Sequence, residues 1–170
     1  APAGRDLEQH RPAIEALIAN IDQQMSPWRA DSDITRFNIT RRESPVSPEA
    51  AFVTRAALKI AHDSDGWFDP TVGPLVTQWG FGRISGANVG RWQGLSVGET
   101  TLSKDMPGLT IDLCGIAKGR ALDLIAAHLL DAGAHDFLID LGGELKTAGS
   151  HPSGRDWQVA VEDPRPNQSG

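Results

Sequence analysis

Residues 110–120 read TIDLCGIAKGR and decide the fold, because a strand-like pattern meets a helical one here. Upstream, residues 109–113 alternate apolar and polar side chains, which predicts a short strand. Downstream, apolar side chains recur at helical spacing over residues 121–129, which predicts a helix. Gly115 and Gly119 lie between the two patterns and predict a turn whose backbone can approach another molecule closely.

A strand, a glycine-containing turn and a helix start together predict an anion site. Backbone N–H groups and the positive end of the helix dipole would face the ligand, and Lys118 would add a full charge. Asp112, at the end of the strand, is placed to accept hydrogen bonds from a sugar or a base. The stretch therefore predicts a site for a phosphorylated ligand, and an ordinary strand-to-helix connection with a surface lysine is the alternative.

The composition is that of one globular domain, with 170 residues of which 39% are hydrophobic and 22% are charged. A net charge of -6 argues against sequence-independent binding of nucleic acid or of an acidic membrane. The first residues lack the architecture of an export signal, so any such signal is expected to have been removed. Cys114 is the single cysteine, which excludes an internal disulfide.

Periodicity predicts a first helix from Asp6 to Gln24, although Pro12 indicates that it starts nearer Arg11. Ser32 or Asp33 is predicted to cap a short helical turn.

A second helix is predicted from its Ser47 cap and from Pro48 at its first position. Its expected buried face consists of Phe52, Val53, Ala56, Ala57 and Ile60.

The C-terminal part predicts a hairpin, with strands at residues 137–140 and 144–148 joined by a tight Gly142-Gly143 turn. Residues 157–162 alternate like another strand, and the polar tail from Asp163 onward is expected to be disordered. Helices and strands are mixed without strict alternation, which predicts an α+β fold and a single domain over residues 1–170.

The segment between Asp63 and Met106 has no long periodic pattern, and such a segment inside a compact domain is usually functional. Residues 65–82 place glycine beside aromatic and aspartate residues, as a loop that binds a planar ring would. Trp28, predicted on a loop beside Pro27, is either a lid over the core or a stacking platform.

Familiar catalytic and metal-binding motifs are not found in the sequence. The five histidines show no paired metal spacing, so a zinc site is not expected. Ser85 lies outside any Gly-x-Ser-x-Gly motif, and residues 115–120 are too short for a Walker A loop.

Four separated stretches resemble the ApbE-type FAD:protein FMN transferase family. Residues 25–38 (MSPWRADSDITRFN) resemble its M-S-x-[YW]-x-x-x-S-[ED]-[IL]-x-x-[FL]-N segment. Residues 65–75 (DGWFDPTVGPL), with WGFG at 79–82, resemble D-G-x-F-D-x-T-[VI]-x-P-L…W-G-F-G. Residues 112–119 (DLCGIAKG) resemble D-L-G-G-I-A-K-G, and residues 139–144 (IDLGGE) resemble [IV]-x-x-G-G-[ED].

The resemblance implies a T-fold-related α+β architecture, with helices packed on a mixed or antiparallel sheet and FAD in a cleft. It implies a Mg²⁺-dependent enzyme that moves FMN from FAD onto a Ser or Thr of a target redox protein and releases AMP. The implied target belongs to a membrane or periplasmic electron-transfer system, and the implied location is bacterial, exported and periplasmic or membrane-associated.

The resemblance also assigns site residues. It implies that Trp28 is an aromatic near the isoalloxazine and that Trp67, Phe68 and Asp69 belong to the FAD-binding loop. Asp112 and Lys118 are two further implied cofactor contacts, and the main-chain carbonyl of Gly115 is the implied metal ligand. Catalytic residues stay unassigned, because no general base for the target hydroxyl is evident.

The chain departs from the family pattern in three places. Cys114 replaces the usual glycine or serine. The first strand of the family and its C-terminal metal-site segment are missing, so a fragment is expected whose open strand edges favour self-association or pairing with a second chain. Alternative functions are a non-catalytic FAD-binding or delivery module, a Mg²⁺-dependent FAD pyrophosphatase and, last, a plain structural domain.

Overall fold

A computed structural model of the chain describes residues 7–161. The helices and strands follow one another without strict alternation. In chain order they are α1 (Arg11–Met25), α2 (Asp33–Ile39), β1 (Glu43–Pro45), α3 (Pro48–Asp63), α4 (Gly73–Gln78), β2 (Leu95–Val97), β3 (Thr101–Lys104), α5 (Cys114–Asp131), β4 (Phe137–Leu141) and β5 (Glu144–Ala148). Single 3-10 turns occur at Leu7–His10 and Trp92–Gly94.

Serine caps fix two of the helix starts: of the two predicted candidates Ser32 and Asp33, Ser32 caps α2, and Ser47 caps α3 as predicted. The Ser32 hydroxyl accepts a hydrogen bond from the Thr35 amide at 3.0 Å and begins α2. The Ser47 hydroxyl does the same for the Ala50 amide at 3.2 Å and begins α3. Each serine thereby satisfies one of the N–H groups that a helix start leaves without a partner. The α1 helix begins at Arg11, and Asp6 lies outside the described residues.

The predicted buried face of α3 is partly wrong. Val53 and Ala57 are buried, but Phe52 is 49% exposed and Ile60 is 43% exposed. The helix packs against the core mainly through small side chains, so its larger apolar residues lie at the edge of the interface between α3 and the core. The Phe52 ring is covered there by the Arg120 guanidinium, 4.7 Å from the ring centroid.

The strands form two antiparallel sheets, and together with the helices they confirm the α+β class. The first sheet has the order β1-β3-β2, with Ser44 opposite Leu102. The second is the predicted β4–β5 hairpin, whose turn residues Gly142 and Gly143 have φ angles of 61° and 89°. Both angles are left-handed, which is why a two-glycine turn joins these strands.

Two irregular regions differ from the sequence prediction. The segment between Asp63 and Met106 contains α4, β2 and β3, which have three to six residues each and are too short to show periodicity. Residues 157–161 form no strand, whereas Glu162 and the tail lie outside the described residues. The Trp157 indole instead donates to the Ala148 carbonyl at 2.9 Å, next to the end of β5.

The core lies between the first three helices, the three-stranded sheet, the segment before α5 and the first half of α5. Its largest fully buried apolar side chains are Phe37, Met25, Ile34, Leu102, Leu109, Ile111, Leu113 and Val53. In residues 7–161, no helix combines the length and hydropathy needed to cross a membrane.

A two-cleft candidate ligand site

The start of α5 organises the site, and it differs from the predicted turn. The helix begins at Cys114, so Gly115 and Gly119 lie inside it. Leu113 occupies the N-cap position without a side-chain cap, and the Oδ1 of Asp112, one residue earlier, accepts from the Cys114 amide at 2.9 Å. A Cβ at Gly115 would lie 3.5 Å from the Phe68 ring, an ordinary van der Waals distance, so the ring packs beside the first turn of α5 without requiring a glycine there.

The segment before α5 is extended, as predicted, but it is not a strand of either sheet. Leu109, Ile111 and Leu113 are buried. The only bridge in the described chain that involves this segment joins Leu109 to Asn88. The predicted strand is therefore wrong as a sheet element, while its burial pattern is right.

Side chains and loops provide the hydrogen bonds that a neighbouring strand would have provided. The Asn38 amide donates to the Ile111 carbonyl at 2.9 Å and accepts from the Ile111 N–H at 2.8 Å. The Asp112 amide donates to the Pro70 carbonyl at 2.7 Å. These contacts hold Asp112 in place at the start of α5.

A buried lysine also holds the segment before α5 in place. Lys104 is 4% exposed, and its ammonium donates to the carbonyls of Phe37, Asn38 and Leu109 at 3.1, 3.2 and 2.8 Å. Burial lowers the pKa of this ammonium from its ordinary value. The lysine thus connects the end of α2 to the segment that carries the site.

One of two clefts beside the start of α5, here called the loop cleft, has a volume of about 360 Å³. It contains five of the seven site residues that the sequence assigns. These are Trp67, Phe68, Asp69, Asp112 and Gly115. The Trp67 side chain is 94% exposed, so the indole is accessible to a flat ligand.

Asp69 shapes the loop cleft. Its Oδ1 accepts from the amide and from the hydroxyl of Thr71, both at 2.7 Å. The Thr71 hydroxyl in turn accepts from the Arg91 amide at 3.1 Å. One carboxylate oxygen of Asp69 therefore holds its own loop, and Oδ2 receives no hydrogen bond from residues 7–161.

The second cleft, here called the helical cleft, has a volume of about 370 Å³ and lies between α1, α5 and the β4–β5 turn. It contains the remaining two assigned side chains, Trp28 and Lys118. Trp28 is 55% exposed on its loop, and the Arg83 guanidinium lies over its ring at 4.9 Å. The indole is therefore a stacking surface with a cation at one face.

Cys114 lines both clefts and marks the point where they adjoin. The residue is exposed, but partial desolvation of its sulfur and the neighbouring Asp112 carboxylate raise the pKa of the thiol to about 12. The thiol is therefore neutral at physiological pH, so Cys114 adds no negative charge at the junction where an anion is expected to bind.

The ammonium of Lys118 and three backbone N–H groups of the predicted anion site already have partners within the protein. The Lys118 ammonium lies 3.0 Å from the Glu144 carboxylate, and both side chains are partly exposed. The Cys114 amide is held by Asp112, and the amides of Ile116 and Ala117 donate to the Leu113 carbonyl. An anion that binds here would have to compete with Glu144 for Lys118.

The described residues do not fit a complete magnesium site. Between residues 7 and 161, no group of three or more His, Cys, Asp or Glu side chains could hold a metal ion. Gly115, whose carbonyl is assigned as a ligand, lies in the first turn of α5. A single carbonyl falls short of the octahedral oxygen shell that Mg²⁺ requires.

A larger cleft of about 570 Å³ lies between α3, α5 and β5. It contains none of the seven assigned residues, so its size alone does not make it the ligand site. Arg120, which lines it, bonds Glu49 at 2.6 Å and covers Phe52.

Four residues that contact or support the candidate site were not identified from the sequence. Asn38 and Glu144 stand in the quoted motifs, so the motifs were the available signal for them. Lys104 and Arg83 stand in stretches without periodicity, and nothing in the sequence indicated their positions.

Comparison with known proteins identifies the family of this chain. A model of the ApbE family matches residues 4–170, and the chain belongs to that family. It is 32% identical over 182 residues to the FAD:protein FMN transferase of Vibrio cholerae, covering 98% of this chain and 54% of that protein. It is 34% identical over 170 residues to the FAD:protein FMN transferase of Salmonella typhimurium, covering 89% and 49%. The chain therefore spans about half the length of the curated relatives it matches.

Solved structures agree with the fold. The flavin transferase ApbE from Vibrio cholerae has a TM-score of 0.85 at 33% identity, covering 96% of this chain and 58% of that one. The Pseudomonas stutzeri flavinyl transferase ApbE, in its apo form, has a TM-score of 0.82 at 32% identity, covering 95% and 58%. These matches confirm the predicted ApbE-like architecture.

Proposed function

We propose that this chain provides the FAD-binding part of an FAD:protein FMN transferase. The enzyme would move FMN from FAD onto a Ser or Thr hydroxyl of a target redox protein and release AMP. Membership of the ApbE family supports this activity, because the relatives that match the chain are named for it.

The arrangement of the two clefts carries the proposal. FAD has two aromatic halves joined by a diphosphate, and the chain has two clefts that adjoin at Cys114. We assign the isoalloxazine to the helical cleft beside Trp28 and the adenosine half to the loop cleft beside Trp67. The diphosphate would then lie at the first turn of α5, near Lys118 and the positive end of the helix dipole.

The proposed transfer is a displacement at the phosphorus atom of the FMN half. The target hydroxyl oxygen forms a new P–O bond, the diphosphate P–O bond breaks, and AMP leaves with the bridging oxygen. The hydroxyl proton passes to a base that residues 7–161 do not identify. Lys118 would offset the negative charge of the diphosphate once the anion displaces Glu144.

Magnesium dependence, the target and the cellular location are further parts of the proposal. The family resemblance supports all three. We propose that the enzyme uses Mg²⁺ with ligands from outside residues 7–161, that its target belongs to a membrane or periplasmic electron-transfer system, and that the protein is exported. Fractionation of cells that express the full-length protein tests the location, and recovery in the cytoplasm would contradict it.

A non-catalytic FAD-binding or delivery module is the second candidate. It is favoured by one observation, that the described residues hold no group of three or more metal-ligating side chains. Such a module would bind FAD without releasing AMP.

One experiment separates these functions. The chain and the full-length protein are each incubated with FAD, Mg²⁺ and candidate redox proteins, and AMP and covalently fluorescent target are measured. We expect FAD binding by both, and AMP release with target labelling by the full-length protein. AMP and FMN without a labelled target would indicate FAD hydrolysis, and binding without AMP would indicate the second candidate. Failure of both proteins to bind FAD would contradict the proposal.

A further inference from the structure

Two histidines that are far apart in the sequence meet in the fold. His10 Nδ1 lies 3.2 Å from His128 Nε2, and the two rings are nearly perpendicular, with centroids 5.3 Å apart. His10 ends the 3-10 turn before α1, and His128 lies in the last turn of α5. Both residues are half-buried, which restricts the conformations available to the two rings.

We propose that His10 and His128 form a two-point binding site for a transition-metal ion such as Zn²⁺ or Ni²⁺. Imidazole nitrogen is a favoured ligand of these metals and binds zinc at about 2.0–2.1 Å. Two such nitrogens bound to one ion lie about 3.3–3.4 Å apart when the N–metal–N angle is tetrahedral, and about 2.9 Å apart when that angle is about 90°. The 3.2 Å between the two imidazole nitrogens falls inside this range, so the ion needs only ring rotation, without movement of the helices.

The same two nitrogens can also share one proton, as a neutral N–H···N hydrogen bond. That bond uses one donor and one acceptor, whereas the metal uses a lone pair from each ring. Within residues 7–161 no third His, Cys, Asp or Glu joins the pair, so the described chain supplies two ligands and we propose water for the remaining positions. The site is therefore a weak bidentate one, and its measurable effect is on the packing of α1 against α5.

This site is separate from the proposed FAD site. The two helices run past each other, with the C-terminal end of α1 and the N-terminal part of α5 lining the helical cleft. His10 and Met25 are 15 residues apart, which in helical geometry is about 22 Å. Metal binding to the histidines would thus brace the far end of the helix pair whose near end forms the cleft.

The test titrates Zn²⁺ or Ni²⁺ into the chain by calorimetry and follows the melting temperature. We expect one ion per chain and a rise of about 3–6 °C at a tenfold excess over Kd, reversed by EDTA. His10→Gln and His128→Gln should each lower the affinity at least tenfold. His135→Gln, which removes an exposed histidine after α5, and Cys114→Ser, which removes the single thiol, should leave it unchanged, and Mg²⁺ should give no shift.

Imidazole NMR resonances provide a second readout that does not depend on any variant folding. Zinc should perturb the signals of His10 and His128 and leave those of the other three histidines in place. Absence of binding, or equal affinity in the wild type and in both histidine variants, would overturn the proposal. Loss of binding in the Cys114→Ser variant alone would assign the metal to the thiol and overturn it as well.

Discussion

The Asn38 side chain pairs with the backbone of Ile111 at both polar atoms, at 2.8 and 2.9 Å, as a neighbouring strand would. Because Ile111 is buried, loss of the amide leaves its N–H and carbonyl without partners. We expect Asn38→Ala to lower the free energy of unfolding by about 2–4 kcal/mol in urea denaturation. If the proposed function is right, FAD affinity will fall too, because Asp112 follows Ile111.

Asn88→Ala is the matched control for this prediction. Among the described residues its side-chain amide makes a single long hydrogen bond, to the Pro107 carbonyl at 3.4 Å. We expect a loss of less than about 0.5 kcal/mol for this variant. Equal losses in the two variants would show that the Asn38 bridge contributes no special stability.

Lys104 is expected to give the stability a pH dependence. Burial lowers the pKa of its ammonium in the folded chain. The unfolded chain therefore binds more protons between that lowered pKa and the ordinary value of 10.5, and this group's contribution to stability rises with pH there. Lys104→Met should cost about 2–4 kcal/mol at pH 7 through its lost hydrogen bonds. The stability difference between wild type and variant should widen toward pH 10.

The measurement is urea denaturation of both proteins across this pH range. Arg55→Met is a suitable control, since within residues 7–161 its exposed guanidinium donates only to the Gly98 carbonyl. A difference between wild type and Lys104→Met that stays constant or narrows with rising pH would contradict the prediction.

Glu144 is expected to limit anion binding by holding Lys118. Glu144→Gln should raise FAD affinity about three- to tenfold, because the lysine no longer has to exchange one anion for another. Lys118→Met should lower the affinity about tenfold or more. Quenching of tryptophan fluorescence by FAD measures both.

Lys146→Met is the control for the charge effect. Lys146 pairs with Asp123 in an exposed contact outside both clefts. Each of these partly exposed ion pairs should contribute less than about 1 kcal/mol to stability, so changes in affinity are not explained by unfolding. An unchanged FAD affinity in the Glu144→Gln variant would mean that the Lys118–Glu144 ion pair does not oppose FAD binding.

Cys114 is expected to react slowly with alkylating reagents. Its thiol pKa of about 12 leaves little thiolate near pH 8. We expect iodoacetamide to modify the folded chain about 10²-fold more slowly than the chain in urea. Asp112→Asn should accelerate the reaction of the folded chain, because it removes a carboxylate that raises the pKa. Equal rates for the folded and unfolded chain would contradict the raised pKa.

Local signals explain which parts of the fold could be predicted from the sequence. The Ser32 and Ser47 caps and the Gly142-Gly143 turn depend on neighbouring residues, and all three are confirmed. The start of α5 could not be predicted, because Gly115 by itself favours a turn, whereas in the fold it lies inside the helix. Long-range partners such as Asn38 and Ile111, 73 residues apart, leave no periodic trace.

In the candidate site, too, local motifs could be recognised from the sequence and long-range contacts could not. The motifs indicated the side chains that line the two clefts, and those seven assignments stay predictions until a ligand is bound. They did not indicate that Glu144 pairs with Lys118 or that Arg83 covers Trp28, because ion pairs and stacking between distant segments depend on the tertiary fold.

Under the proposed function, the junction of the two clefts at Cys114 has a consequence for turnover. A ligand whose two halves occupy both clefts gains from being tethered, since binding of one half holds the other at high effective concentration. The gain is commonly about 10²–10⁴-fold, and it disappears when the bond between the halves breaks. The nucleotide left behind after cleavage would therefore dissociate readily, so the reaction itself would clear the protein for the next molecule of substrate.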